Sequence, residues 1–158
     1  MKRSFWIIVG LMVAVLVPLV AVHAADTTKP SFLSFSTTTP NGTYGAGATI
    51  PISARYNEFI APGSTLTVVL NTSPVEKEVL LTVVSGFRIS GTYTVAAGDN
   101  SVRLKVVRIK AGTESVRDGA GNTRTDTPAS AFAGSRNINN PEKIVIDSPG
   151  EILQVLRS

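Results

Sequence analysis

In Thr49–Tyr56 (TIPISARY), Ile50, Ile52, Ala54 and Tyr56 occupy one parity, while Thr49, Ser53 and Arg55 occupy the other. A period of two puts the two sets on opposite sides of an extended chain, so this stretch is a strand with one buried and one wet face. Asn41-Gly42 and Gly45-Ala46-Gly47 lead into it as turn residues, and Asn57-Glu58 forms a polar corner after it. Pro51 has no amide hydrogen, so β-pairing is expected to be missing there or the strand to lie at an edge.

The same grammar recurs along the chain. Ser31–Thr37 reads as a first strand in which Phe32 and the serines alternate around Leu33 and Phe35. Thr65–Leu70 points Leu66, Val68 and Leu70 inward and Thr65, Thr67 and Val69 outward. Glu78–Val84 is almost continuously apolar, the pattern of a strand buried on both faces. In Phe87–Val95, Phe87, Ile89, Tyr93 and Val95 share a face. Ser101–Lys110 slips phase at Val106-Val107, which predicts a β-bulge or a strand break. Asp118-Gly119-Ala120-Gly121-Asn122 is a Gly-rich loop, residues 123–141 have little periodicity, and Lys143–Asp147 is one more short strand. Seven or so strands separated by Gly, Pro, Asn and Asp turns predict an all-β antiparallel sandwich of the immunoglobulin-like type, about 100 residues in size.

The first two dozen residues stand apart. Lys2 and Arg3 precede an apolar run, Phe5–Val22, and Val22-His23-Ala24 offers small residues for cleavage after Ala24. This is the layout of a secretory signal peptide, helical before removal. The rival reading is an uncleaved anchor, against which Pro18 would break a spanning helix. Removal of residues 1–24 from the 158 leaves 134, enough for one domain. The single His, the single Trp and both Met leave with the leader, and there is no Cys anywhere. Imidazole-activated nucleophiles, thiol chemistry, and His or Cys metal sites are therefore excluded from the processed chain. Its 13 basic residues against 11 acidic ones argue against a nucleic-acid partner.

Asn41-Gly42-Thr43-Tyr44, Gly47-Ala48-Thr49-Ile50, Asn57-Glu58, Tyr93-Thr94-Val95-Ala96-Ala97-Gly98-Asp99-Asn100-Ser101 and Asp118-Gly119-Ala120-Gly121-Asn122 follow one another in order. Together this set resembles the bacterial Ig-like repeats of large surface proteins and adhesins. The match spans about residues 26–125. Asp26-Thr27-Thr28-Lys29-Pro30 fits the start of such a unit, and Ile144–Pro149 resembles the opening of a following one. Pro51, Phe59 and the long stretch 123–141 depart from the pattern. With the leader at 1–24, the resemblance implies an Ig-like domain at 25–128, and a linker plus truncated next unit at 129–158. It also implies a secreted or cell-surface, non-catalytic structural or adhesive module with possible tandem neighbours.

Calcium is the ligand the resemblance implies, with Asp118, Asn122 and Glu58 as the candidate metal residues and Asp26, Asp99 and Asp147 as further oxygen donors. The local reading is that Asp118-Gly119 and Gly121-Asn122 are simply turn formers. No other cofactor is expected. Arg88, Arg103, Lys105, Arg108 and Lys110 offer a basic face for a carbohydrate or a surface protein, or merely a solvated strand face. Val79–Val84 is either a core strand or an edge open to strand addition. Asn41 and Asn71 satisfy the glycosylation sequon but read as plain turns. A carboxylate pair such as Glu58 with Asp99 or Asp118 is the only catalytic arrangement to weigh, and no enzyme is expected.

Overall fold

The computed structural model describes residues 24–112, 114–124, 132, 134–138 and 143–150. The expected signal helix and most of the 129–158 region lie outside them. Among the described residues nine strands form: β1 (Phe32–Ser36), β2 (Gly42–Tyr44), β3 (Thr49–Tyr56), β4 (Thr65–Leu70), β5 (Lys77–Ser85), β6 (Arg88–Thr94), β7 (Asn100–Ser101), β8 (Val106–Ile109) and β9 (Ile144–Asp147). Six of them make one antiparallel sheet in the order β1-β3-β6-β5-β4-β8, and three make a second in the order β2-β9-β7. The all-β expectation holds, and the larger sheet nearly closes into a barrel.

Ile50, Ile52, Ala54 and Tyr56 are all buried, as the alternation requires, and share one core with Leu66, Leu81, Ile89 and Leu104. Each such side chain removed from water contributes roughly 1.5–3 kcal/mol. Pro51 is tolerated because the β1–β3 pairing stops at Ser36↔Ser53, so only β6 flanks β3 at that point. At the other end of that pairing a bulge at Leu33 resets the parity of β1. Phe32 and Phe35 are therefore both buried, while Leu33 is exposed.

The phase slip at Val106-Val107 appears as a second bulge. Leu70 pairs with Val106 and Val69 with Arg108, which leaves Val107 as the extra residue. Thus the chain from Asn100 to Ile109 serves both sheets: its start pairs with β9 and its end with β4.

Three expectations are corrected by the packing. Thr67 and Val69, expected outward, are buried. On that face Arg108 pairs with Glu76, and Lys110 with Glu78 at 2.7 Å. Val69 lies opposite Glu78 on one side and Arg108 on the other, so the ion pairs reach across β4 and cover it. β5, expected to be buried on both faces, is buried on one: Val79 and Leu81 point in, and Leu80 and Val84 point out. It also lies between β6 and β4, so it offers no free edge for strand addition. Phe87, expected inward, sits exposed in the β5–β6 turn, where the register places it beyond the Ser85↔Arg88 pair. Gly91 allows the close approach of these two strands, because a Cβ there would collide with the Leu80 carbonyl.

Closure comes from two places. The chain leaves β1 in the large sheet and enters β2 in the small one, so both sheets share that border. Phe132 and Asn137 bridge β1 and β8: Asn137 accepts from the Val106 amide and donates to the Val106 carbonyl, while Phe132 packs on Phe35. Strand β9 lies parallel to β2 and antiparallel to β7. Ile144 and Ile146 of β9 belong to the same core as residues 32–116, so Lys143–Asp147 packs within this unit rather than opening another.

Candidate functional site

The barrel has a leading end, where residues 24–31 arrive, and a trailing end, where β9 departs. At the leading end Asn57 fastens the incoming chain. Its amide donates to the Ser31 carbonyl at 3.1 Å, and its side-chain oxygen accepts from the Ser31 amide at 2.7 Å. Ile60 bridges to Asp118, and the Ala61 amide donates to the Arg117 carbonyl, which ties the β3–β4 loop to the Gly-rich loop. Three chain segments are thereby gathered at one spot.

One carboxylate oxygen each from Asp26, Glu58 and Asp118 lie within 4.8 Å of one another. The Gly-rich loop holds Asp118 firmly: Oδ1 accepts from the Asn122 amide and Oδ2 from the Asn122 side chain, both at 2.8 Å. Burial lifts the Asp118 pKa, but hydrogen bonds from the Asn122 side chain and from the amides of Asn122, Ala120 and Gly121 outweigh it. The net value lies below the ordinary carboxylate range. Asn122 also donates to the Asp26 carbonyl at 2.9 Å. Asn122 therefore braces the cluster, and Asp26 supplies its third carboxylate.

Glu58 is different. It is partly exposed, yet its Oε1 is shielded from solvent and accepts no hydrogen bond. Desolvation, then the charges of Asp118 and Asp26, push its pKa up. Calcium favours several carboxylate oxygens in a flexible shell of six to eight. Three carboxylates, one with an unclaimed oxygen, fit that requirement in kind.

Near this end lies Tyr56, whose buried hydroxyl has no partner. Its pKa is pushed up to about 12 by burial, with nearby Arg124 opposing and Glu114 adding. Arg124 and Glu114 form an ion pair at 3.1 Å. On the outside, Phe59 and Phe87 are both about half exposed and meet edge to face, with ring centroids 6.5 Å apart.

The trailing end holds Asp99, which is 3% exposed. Its Oδ2 accepts from the Tyr93 hydroxyl at 2.8 Å and the Ala96 amide at 2.9 Å, and its Oδ1 faces Lys77 Nζ at 3.0 Å. Burial lifts the Asp99 pKa, but the Ala96, Lys77 and Tyr93 bonds together hold it below its ordinary value. Tyr93 in turn is pushed up by burial and by its bond to the carboxylate. Asp147 is exposed at this end and lines an open cleft of ≈ 450 Å³ with Asn71, Ser73, Asn100 and Val102.

Among the sequence candidates, then, Glu58, Asp118, Asn122 and Asp26 come together, whereas Asp99 and Asp147 lie at the other end. The catalytic arrangement divides the same way: Glu58 stands beside Asp118 and away from Asp99. The basic face is dispersed, since Arg108 and Lys110 are engaged by Glu76 and Glu78, and Arg88 sits across the sheet on β6. Of the sequon residues, Asn41 accepts from the Lys143 amide. Asn71 is a structural clasp, accepting from Lys105 and Ser101 and donating to Arg103. Sequence reasoning missed Asn137, which lies in an aperiodic stretch, and Lys77 as the partner of Asp99, since nothing local links positions 77 and 99. Comparison of the chain with protein-family models, curated proteins and solved structures finds no match.

Proposed function

We propose that this chain is a secreted or cell-surface, non-catalytic module of the bacterial Ig-like kind, structural or adhesive in role, which takes calcium at its leading end. The observation that carries the reading is strand order. With β1, β3, β4, β5 and β6 taken as A to E, the run β1-β3-β6-β5 is A-B-E-D, the sequence of one immunoglobulin sheet. With Asn100–Ile109 as F and β9 as G, the pairings β4–β8 and β7–β9 give C-F-G, the other sheet. The departure is the β4–β5 pairing, which joins C to D and makes the sandwich nearly a barrel.

Export rests on the leader at 1–24, and stability, with no cysteine to form a disulfide, on a continuous hydrophobic core. Calcium is supported by the convergence of Asp26, Glu58 and Asp118 from three distant parts of the chain. The ion would offset their mutual repulsion and tie the incoming segment to the barrel. A non-catalytic role is favoured by Asp118, whose two oxygens are spent on its own loop.

Calorimetry and thermal melts of the processed chain test the metal. Saturable uptake is expected, with stability rising by about 2.7 kcal/mol when Ca²⁺ stands ~100-fold above its Kd. A melt identical in Ca²⁺ and chelator removes calcium from the proposal. A second reading, a carbohydrate- or protein-binding module, draws on the exposed Phe59–Phe87 pair beside the cluster. Saturable micromolar binding on a glycan array, lost in Phe59→Ala, would favour it over a spacer.

A further inference from the structure

Arg55 and Arg88 are register partners on β3 and β6, and both are exposed. Among the described residues neither forms an ion pair, whereas Lys77, Arg108, Lys110 and Arg124 each have a carboxylate partner. Like charges directly opposite in a sheet destabilise it, since their Cβ atoms lie only about 5 Å apart. Two guanidinium groups so placed suit an anion from outside.

The Phe59–Phe87 pair stands at the end of this pairing. The Tyr56 amide donates to the Phe87 carbonyl at 3.0 Å and the Ile60 amide to the Gly86 carbonyl, so the residues after Arg55 are laced to those before Arg88. The Phe59 ring lies over Gly86, where a Cβ would collide with it. Two half-exposed rings and two arginines thus occupy one corner of the barrel. We propose that Arg55, Arg88, Phe59 and Phe87 bind an acidic polysaccharide, the guanidinium groups taking the carboxylates of its sugars and the rings their apolar faces. The inference rests on the second reading above and names its site and ligand class.

Arginine presents a planar fork that meets a carboxylate through two bonds at once. The next outward pair along the same strands is Ser53 and Ser90, whose hydroxyls lie 2.9 Å apart, with exposed Thr82 opposite Ser90 on β5. Such ground offers donors and acceptors to sugar hydroxyls, while Ser and Thr are scarce among the residues that anchor protein partners. An anionic bilayer is disfavoured by the acid cluster: Glu58 precedes Phe59, and its carboxylate meets those of Asp26 and Asp118. A plane resting on the rings would be carried against three carboxylates, whereas a chain one sugar wide can engage the arginines alone.

Removing either arginine relieves a like-charge repulsion, so binding should be lost while the melting temperature holds or rises slightly. Loss of binding through unfolding would carry the opposite sign.

Calorimetry of the processed chain in chelator tests the proposal, with polygalacturonate as ligand and neutral dextran, polyglutamate and phosphatidylglycerol vesicles beside it. Chelator keeps calcium from bridging the uronates and separates the result from any metal at the acid cluster. Saturable binding of polygalacturonate is expected, roughly 10-fold or more tighter than that of dextran or polyglutamate. Arg55→Gln and Arg88→Gln should each weaken it by about 10-fold without a lower melting temperature. Gly86→Ala, which displaces the Phe59 ring and leaves both arginines, should weaken it as well. Dextran bound equally well overturns the acidic class and leaves the second reading standing; uptake of none of the sugars or polyglutamate overturns both. Polyglutamate or vesicles bound as tightly as polygalacturonate, or unchanged affinity in both arginine variants, likewise overturns the proposal.

Discussion

Asp99 and Asp118 are almost equally buried and both are held as anions, yet the two barrel ends that contain them are built to opposite rules. At the trailing end a single carboxylate receives a lysine, a phenol and a backbone amide, so charge and hydrogen bonds close within the fold. At the leading end three carboxylates converge, and one of their oxygens accepts nothing. A satisfied buried network fixes structure, while an unsatisfied one leaves free energy for something else to claim. The contrast separates a structural acid from a receptive one better than burial does.

The largest expected break of that contrast is Asp99→Ala. It strands the Tyr93 hydroxyl, the Ala96 amide and Lys77 together, and should cost about 3 kcal/mol in a urea titration. The pH dependence follows from the same bonds. Because the Asp99 and Asp118 pKa values are lowered on folding, their contribution is present above the unfolded value of 3.8. It is lost as pH falls through the lower folded values. Wild-type stability should therefore decline steeply below about pH 4, and Asp99→Asn should flatten that decline in part.

Glu58→Gln probes the receptive end and carries the opposite sign. Glu58 has a raised folded pKa, so ionising it at neutral pH works against the fold. Removing the charge should raise the melting temperature slightly in chelator and abolish the calcium-dependent rise. A uniform loss of stability with the rise intact would mean that Glu58 is ordinary surface. The smallest effect is expected from Asn122→Ala, which leaves all three carboxylates and the backbone bond to Asp118 Oδ1 but frees the Asp26 carbonyl and Asp118 Oδ2 from their brace. Calcium affinity should fall by roughly 10-fold with little change in the metal-free melt.

What could be read from the chain followed the range of the interactions. The face Ile50/Ile52/Ala54/Tyr56 and the irregularity at Val107 are local patterns, and both stand where the alternation put them. Val69 and Thr67 were misplaced because ion pairs from other strands cover them, and no periodicity within Thr65–Leu70 encodes that. β9 reads as the start of another unit because the long aperiodic stretch before it conceals its return into the core. At the site, Asp118 and Asn122 were legible as one loop and Glu58 as a corner. That Asp26 meets them depends on two bonds, Asn122 to Asp26 and Asn57 to Ser31, which form only once the barrel is assembled.

The parallel pairing of β2 with β9 has a mechanical consequence. The chain comes in at one end of the barrel and goes out at the other, so tension along the backbone drags these two strands in opposite directions along their own axes. Their bonds at Gly42, Thr43 and Tyr44 then bear load side by side, instead of opening one after another as in a hairpin pulled from its tip. A module held this way should extend abruptly, at a single yield force, and stay rigid up to that point.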